Sequence, residues 1–467
     1  MVVVKFARVA VGAAYFALLA ASACAAIPSY TSRQTAADPF ALFSQPAARG
    51  TEDTAQPEKM TLARAFQLAF ERNERVSIVQ LGVRDAAIRS KDRWTEVEPT
   101  LNLIAGGILQ RERLAGSVVL TPAEQVTAGA TLVQPLYRRD LSASRAAGES
   151  KYESANASLK RQREQLARDV AEVFIDVLRT RKLLDVARAA VGRANTQHDF
   201  AAGRVKAGNA LRTAELLALV DLRRTERQAV SAQREASSAD IAFRRLVGRA
   251  PPSELELPPT PSLPDPKQSL EMAKRRMDLI ALQLDVRGAQ SEEAAAKERR
   301  WWPQLDLDAS VLYGHPALLN RSVNWSVAGV LTIPLFQAGH EITDIALRGN
   351  DTHIATLELQ EQIKIVIEEV ELAALQVSSA GEAAALAEKE VDAAREHYQL
   401  VDKQVRLGAI TFLEVTNAEA VLAEAENALE VAKMDRVRAI YDYLFAIGAI
   451  DLENPSSGSS AQRPKDI

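Results

Sequence analysis

Apolar positions along the chain follow two periods. Over Arg139 to about Gly203, Leu211 to Val247, His340 to Arg406 and Thr411 to Gly448 they recur every three or four residues with no proline between them, the period of amphipathic helices. Leu166, Val170, Val173, Val177, Leu184, Ala187 and Val191 keep the 4-3 spacing of a coiled-coil seam, missing only at Thr180. Ala418, Leu422, Ala425, Leu429 and Ala432 do the same, with alanine at alternate layers permitting close approach. Elsewhere the period is two. Leu101, Leu103 and Ala105 alternate with Asn102 and Ile104 after Pro99, and Leu305, Leu307, Ala309 and Val311 alternate with Asp306, Asp308 and Ser310 after Pro303, which predicts strands with one apolar face.

These signals occur twice, about 200 residues apart, so the chain reads as a duplication. Each half opens with a capped helix, at Thr61-Leu62-Ala63 and at Ser269-Leu270-Glu271. Strand pairs follow, at 99–112 with 124–136 and at 303–316 with 323–335, the second strands closing on Pro135-Leu136-Tyr137 and Pro334-Leu335-Phe336. A long helix, a glycine break and a returning helix complete each half, with breaks at Val205-Lys206-Ala207-Gly208-Asn209 and Val405-Arg406-Leu407-Gly408-Ala409. Repeat 1 spans 59–249 and repeat 2 spans 268–452, joined by a proline-rich connector at 250–267 and flanked by an extension at 24–58 and a tail at 453–467.

Lengths narrow the architecture. Roughly 65 proline-free residues make a helix about 100 Å long, too long for one globular domain. The opening helix, Leu62 to about Val97, and the returning helix together span about 110 Å, so two shorter helices can stack beside one long one. Leu270 to Trp301 repeats the arrangement in the second half. An isolated helical bundle would account for the seams equally well, and the strands carry the distinction. Four strands with one apolar face offer no second layer for a sandwich and are too few to close a barrel with a lumen. Shared among subunits in a membrane barrel, the apolar face meets lipid and Asp306 and Asp308 face the lumen. Trp94, Trp301, Trp302, Tyr137 and Phe336 stand where strands meet helices, as an interfacial girdle would; capping of the helical core is the alternative.

Composition changes the picture at four points. Lys5 and Arg8, an apolar run and the small residues before Cys24 have the layout of an export signal over 1–23. Cys24 is then a lipidation site, or the middle of an Ala23-Cys24-Ala25 cleavage box. It is the only cysteine in 467 residues, so no internal disulfide forms. The formal charge of −4 offers no basic field for nucleic acid. After the signal no apolar run reaches the roughly 18 residues of a spanning helix. His198, His315, His340, His353 and His397 form no pair at metal-ligand spacing, no Gly-rich phosphate loop follows a strand, and no catalytic constellation, metal or cofactor is expected.

The doubled order of capped helix, Pro-x-Leu-x-Leu strand start, Pro-Leu-Tyr/Phe strand end and Val-x-x-Gly break resembles the TolC-type outer-membrane factor family over about Thr61 to Leu452. The resemblance implies a mainly α fold with a transmembrane β-barrel, three subunits sharing a twelve-stranded barrel above a periplasmic α-helical tunnel. It implies an exit duct of a tripartite efflux or type I secretion system, set in outer-membrane lipid and driven by an inner-membrane pump. A periplasmic adaptor would dock on the tips, here Ala207, Gly208, Asn209, Leu407, Gly408 and Ala409. The family's aperture carboxylates fall on Glu414 and on Asn417, an amide here; in the first half Ala214 departs from the pattern, with Glu215 beside it. Thr411 to Glu414 also reads as a capping box. The competing reading is a secreted soluble coiled-coil spacer or adaptor.

Overall fold

The structure is a computed structural model that describes residues 59–450 apart from 110–112, 116–117, 122–123, 262, 319–320, 336–337 and 408. Cys24, Gly408, Phe336, the 24–58 extension and the 453–467 tail lie outside the described residues. Contacts divide the chain into two units, a sheet unit of residues 92–143 and 294–344 and a helical unit of 59–91, 144–293 and 345–450.

In the sheet unit, β1 (Thr100–Leu109), β4 (Glu124–Tyr137), β5 (Gln304–Leu318) and β6 (Arg321–Thr332) form one antiparallel sheet in the order β1-β4-β5-β6. A minor ribbon of β2 (Arg113–Ala115) and β3 (Val118–Thr121) lies between β1 and β4 in sequence, an element the sequence reading left out. The register aligns the alternation of all four strands. Leu103 lies opposite Ala130, Leu132 opposite Ala309, and Ala309 opposite Val327. Since directly paired residues share a face, Leu101, Leu103, Leu132, Leu305, Leu307, Val311, Trp325, Val327 and Leu331 lie on one side. The other side carries Asn102, Thr127, Thr131, Asp306, Asp308, Ser310, Asn324 and Ser326, and there the Ser310 and Ser326 hydroxyls bond across strands at 2.8 Å. Leu101, Leu103, Val311, Trp325, Val327 and Leu331 are exposed.

The helical unit is built from α1 (Leu62–Arg72), α2 (Glu74–Thr95), α3 (Asp140–Lys206), α4 (Arg212–Val247), α5 (Pro266–Ala273), α6 (Met277–Trp301), α7 (His340–Arg406) and α8 (Phe412–Ala446), of which α2, α3, α6 and α7 have one end in the sheet unit. Both long helices have 67 residues. Thr61 caps α1, accepting from the Arg64 N–H at 3.3 Å. The single opening helix expected from Leu62 to Val97 is two helices. Asn73 adopts an extended backbone and its Oδ1 accepts from the Arg75 N–H at 2.9 Å, an N-cap that restarts the helix.

The second repeat breaks similarly, but its start differs from expectation. Ser269 is not a cap: α5 begins at Pro266, and the buried Ser269 hydroxyl reaches the Asp265 carbonyl and the Tyr443 hydroxyl. Proline at the first helical position loses nothing, because that N–H would be unpaired anyway. After Ala273 the chain restarts as α6.

Phe66, Val170, Phe174, Val177, Phe243 and Val247 form the centre of the main core. The expected seam of α3 holds in part, with Leu166, Val170, Val177 and Leu184 buried. Val173, Ala187 and Val191 are only half-buried, whereas Phe174, Ala190, Ala194, Gln197 and Ala201 are buried. At the missing beat Thr180 is buried with its hydroxyl donating to the Asp176 carbonyl at 2.8 Å, so the helix accepts a polar residue there without an orphan group. Among the described residues no helix is long and apolar enough to cross a membrane.

Candidate functional site: the coiled-coil tips and the sheet

At the first tip the Asn209 N–H bonds the Arg204 carbonyl at 2.8 Å and the Gly208 N–H bonds that of Val205 at 3.0 Å. Gly208 has φ +73°. This is a Schellman termination, in which a left-handed residue lets the chain reverse while the last carbonyls stay paired. In the second tip the Ala409 N–H bonds the Gln404 carbonyl at 2.9 Å, the equivalent bond 200 positions on. The tips are tied together by Arg204, which donates to the Val405 carbonyl at 3.4 Å and the Asn209 carbonyl at 3.3 Å. Behind them Val401, Val405, Val415 and Ala418 form a small core with Phe200, Tyr398 and Ile410 against it.

Ala207, Gly208, Asn209, Leu407 and Ala409 are all exposed. Leu407 is 84% and Leu211 78% exposed, so each tip displays a bare leucine.

Glu414 and Asn417 are exposed near the start of α8, while Glu215 is half-buried against Arg212 at 2.5 Å. The expected capping box at Thr411 does not form. The Thr411 side chain accepts no cap bond; its hydroxyl instead donates to Glu414 Oε1 at 3.4 Å, so the hydroxyl steadies the carboxylate rather than the helix end.

Above the tips lies a polar cluster that sequence reasoning missed. Glu419 on α8 is buried, and so is Asp221 on α4. Arg193 of α3 reaches Glu426 at 3.0 Å and Glu419 at 3.6 Å. Gln197 of α3 donates to Asp402 of α7 at 2.9 Å, and Asp221 pairs with Arg224 at 2.5 Å. Burial pushes the Asp221 carboxyl above its usual range against the opposing charge of Arg224. The signal was available: Glu419 and Glu426 are seven residues apart beside the α8 seam, a heptad recurrence of acids.

In the sheet unit Asp306 lies between Pro135 and Val330, and Asp308 between Val133 and Ala328. Trp94, Trp301, Trp302 and Tyr137 are exposed, with the Arg139 guanidinium 4.3 Å from the Trp302 ring centre. Among the described residues no group of three or more His, Cys, Asp or Glu side chains could hold a metal ion.

The family model for outer membrane efflux proteins matches residues 95–249 and 270–448. No curated protein sequence matches the chain significantly. Solved structures do. CusC, described in the context of folding and transmembrane channel formation, is similar at 17% identity and a TM-score of 0.75, covering 83% of this chain and 91% of that one. The outer membrane protein VceC of Vibrio cholerae matches at 16% identity and 0.73, covering 83% and 96%. The open state of the MtrE outer membrane channel of Neisseria gonorrhoeae matches at 20% and 0.72, covering 83% and 88%. These likenesses are of fold, a TolC-like one. With both repeats matched over most of its length, the chain belongs to the outer membrane efflux protein family, a channel protein of the outer membrane and not an enzyme.

Proposed function

We propose that this chain is the exit duct of a tripartite efflux or type I secretion system, a homotrimer that passively conducts substrates delivered by an inner-membrane pump and a periplasmic adaptor. The observation that carries the reading is the sheet register. One apolar face runs across four strands, with exposed side chains on β1, β5 and β6, which suits lipid, while Asp306 and Asp308 share the polar face, which suits a water-filled lumen.

The outer edges of β1 and β6 are unpaired among the described strands. With three antiparallel steps between them, β6 runs opposite to β1, so β6 of one subunit can pair antiparallel with β1 of the next. Three copies of four strands then close a twelve-stranded barrel and remove the edges. The exposed leucines at 211 and 407 support an adaptor contact at the tips, where Ala207, Gly208, Asn209, Leu407, Gly408 and Ala409 would meet it. Glu414, Asn417 and Glu215 would ring the tunnel aperture.

The test is conductance of the detergent-extracted protein in planar bilayers, with Glu414→Ala beside wild type. Small cation-favouring channels whose selectivity changes in the variant support the duct and its aperture. Unchanged selectivity removes Glu414 from the constriction, and a protein that never forms channels overturns the duct.

A further inference from the structure

The cluster above the tips is built for a proton. Glu419 is 2% exposed, and neither of its carboxylate oxygens accepts a hydrogen bond. Its nearest cation, Arg193 Nε at 3.6 Å, is also without a hydrogen-bond partner, because the Arg193 guanidinium is directed to Glu426 through Nη2 at 3.0 Å. The burial is complete within one subunit and needs no neighbour.

Every helix of the two hairpins contributes to this layer. Arg193 and Gln197 come from α3, Asp221 and Arg224 from α4, Tyr398 and Asp402 from α7, and Glu426 from the α8 of Glu419 itself. Two bonds cross between the hairpins here, Arg193 to Glu426 and Gln197 to Asp402. The acids Asp221 and Asp402 oppose ionisation of Glu419, while Arg193 and Arg224 favour it.

We propose that Glu419 is a proton-controlled clasp between the two coiled-coil hairpins, closed when its carboxyl is protonated and loosened when it is ionised. The proposal rests on the duct reading for its consequence, the width of the tunnel mouth, but its chemistry is local. Burial above all, with Asp221 next, pushes the Glu419 carboxyl up from 4.5 to about 7. Separation of the hairpins would hydrate the carboxylate and restore its ordinary value. A raised value in the closed state means that closure is favoured in acid and lost progressively as pH rises from 4.5 through about 7. A shift of that size changes the closed-to-open ratio by about two orders of magnitude.

Hydrogen exchange of the intact detergent-solubilised protein, wild type beside Glu419→Gln, tests this. The amide mimics the protonated acid. Backbone amides of α3 and α8 around Arg193 and Glu419 should be at least about a hundredfold better protected in the variant near pH 8, with the gain shrinking to about fourfold near pH 5. Equal protection at both pH values, or the same gain at both, overturns the clasp. Arg193→Met is the second variant: without its nearest cation Glu419 should titrate higher, moving the midpoint of wild-type loosening upward, and an unmoved midpoint also overturns it. Bilayer conductance separates the two readings. Absent channels sink the duct while the exchange comparison still judges the clasp.

Discussion

Arg276 donates from Nη1 to the carbonyl oxygen of Ala446 at 2.9 Å, so a cation buried to 1% side-chain exposure closes the carbonyl end of α8 beside the restart of the second repeat's opening helix. The same guanidinium reaches Asp278 and Glu369, each at 2.6 Å. Gly448 makes room for it: φ is +69°, and a Cβ there would lie 3.1 Å from Arg276 Cγ. Arg276→Met should therefore destabilise the helical unit by about 3 kcal/mol, since one partner of a buried ionic network is removed and the others stay. Arg276→Lys keeps the charge and loses the planar fork, and should fall between. Denaturant unfolding followed by far-ultraviolet circular dichroism measures both.

The network also sets an acid limit. Burial opposes the charge on Asp278, but hydrogen bonds from Arg276 and the charges of Arg161 and Arg276 prevail and hold its carboxyl below the usual range. A depressed value contributes stability that is present above the unfolded value of about 4 and lost as pH falls through the folded one. In Arg276→Met this acid loss should shrink. An unchanged acid limb in the variant would assign the loss to other carboxylates.

How far the sequence carried depended on what each residue answers to. The strands, tips and long helices follow from local periodicity, proline and glycine, and those signals are strong. Asn73 sets a helix start through its side-chain cap and Pro266 through its fixed backbone at the first helical position, and at both places the length of the hydrophobic pattern alone merges or misplaces the helices. Phe174 escaped the expected seam because α3 packs against more than one helix, which widens its buried stripe beyond a single 4-3 row. Glu419 escaped because an acid one step from a seam looks solvated until the facing helices are known. Thr411 was read as a cap, but its hydroxyl has the nearer use of Glu414's carboxylate.

Two glycines facing the polar side of the sheet, Gly129 and Gly106, should respond differently to the same change. A Cβ at Gly129 would overlap the Val311 carbonyl and lie 2.6 Å from Leu312 Cδ2, whereas at Gly106 the nearest atom is Thr127 Oγ1 at 3.4 Å. Gly129 sits on β4, which pairs on both sides, so the backbone there cannot shift without disturbing two ladders. Gly129→Ala should reduce the yield of heat-modifiable, folded protein in the outer membrane several-fold, while Gly106→Ala should leave it near wild type. Equal yields would mean that β4 and β5 are not held as closely as this register requires.

Adjacent residues of β6 offer the sharpest test of which face meets lipid. Val327 lies opposite Ala309 on the apolar side, and Ala328 lies opposite Asp308 on the polar side. A lysine on a lipid-facing strand position costs about 2–4 kcal/mol near the bilayer midplane, while a lumen-facing lysine meets water. Val327→Lys should lower folding stability in lipid vesicles by an amount in that range. Ala328→Lys should cost little there, because its ammonium can approach the Asp308 carboxylate, and should instead reduce cation preference in bilayer recordings. The pair controls for β propensity, since both place the same residue in the same strand one position apart. If Ala328→Lys is the more damaging, the polar face points outward and the barrel assignment is inverted; if both are neutral, the sheet does not sit in hydrocarbon.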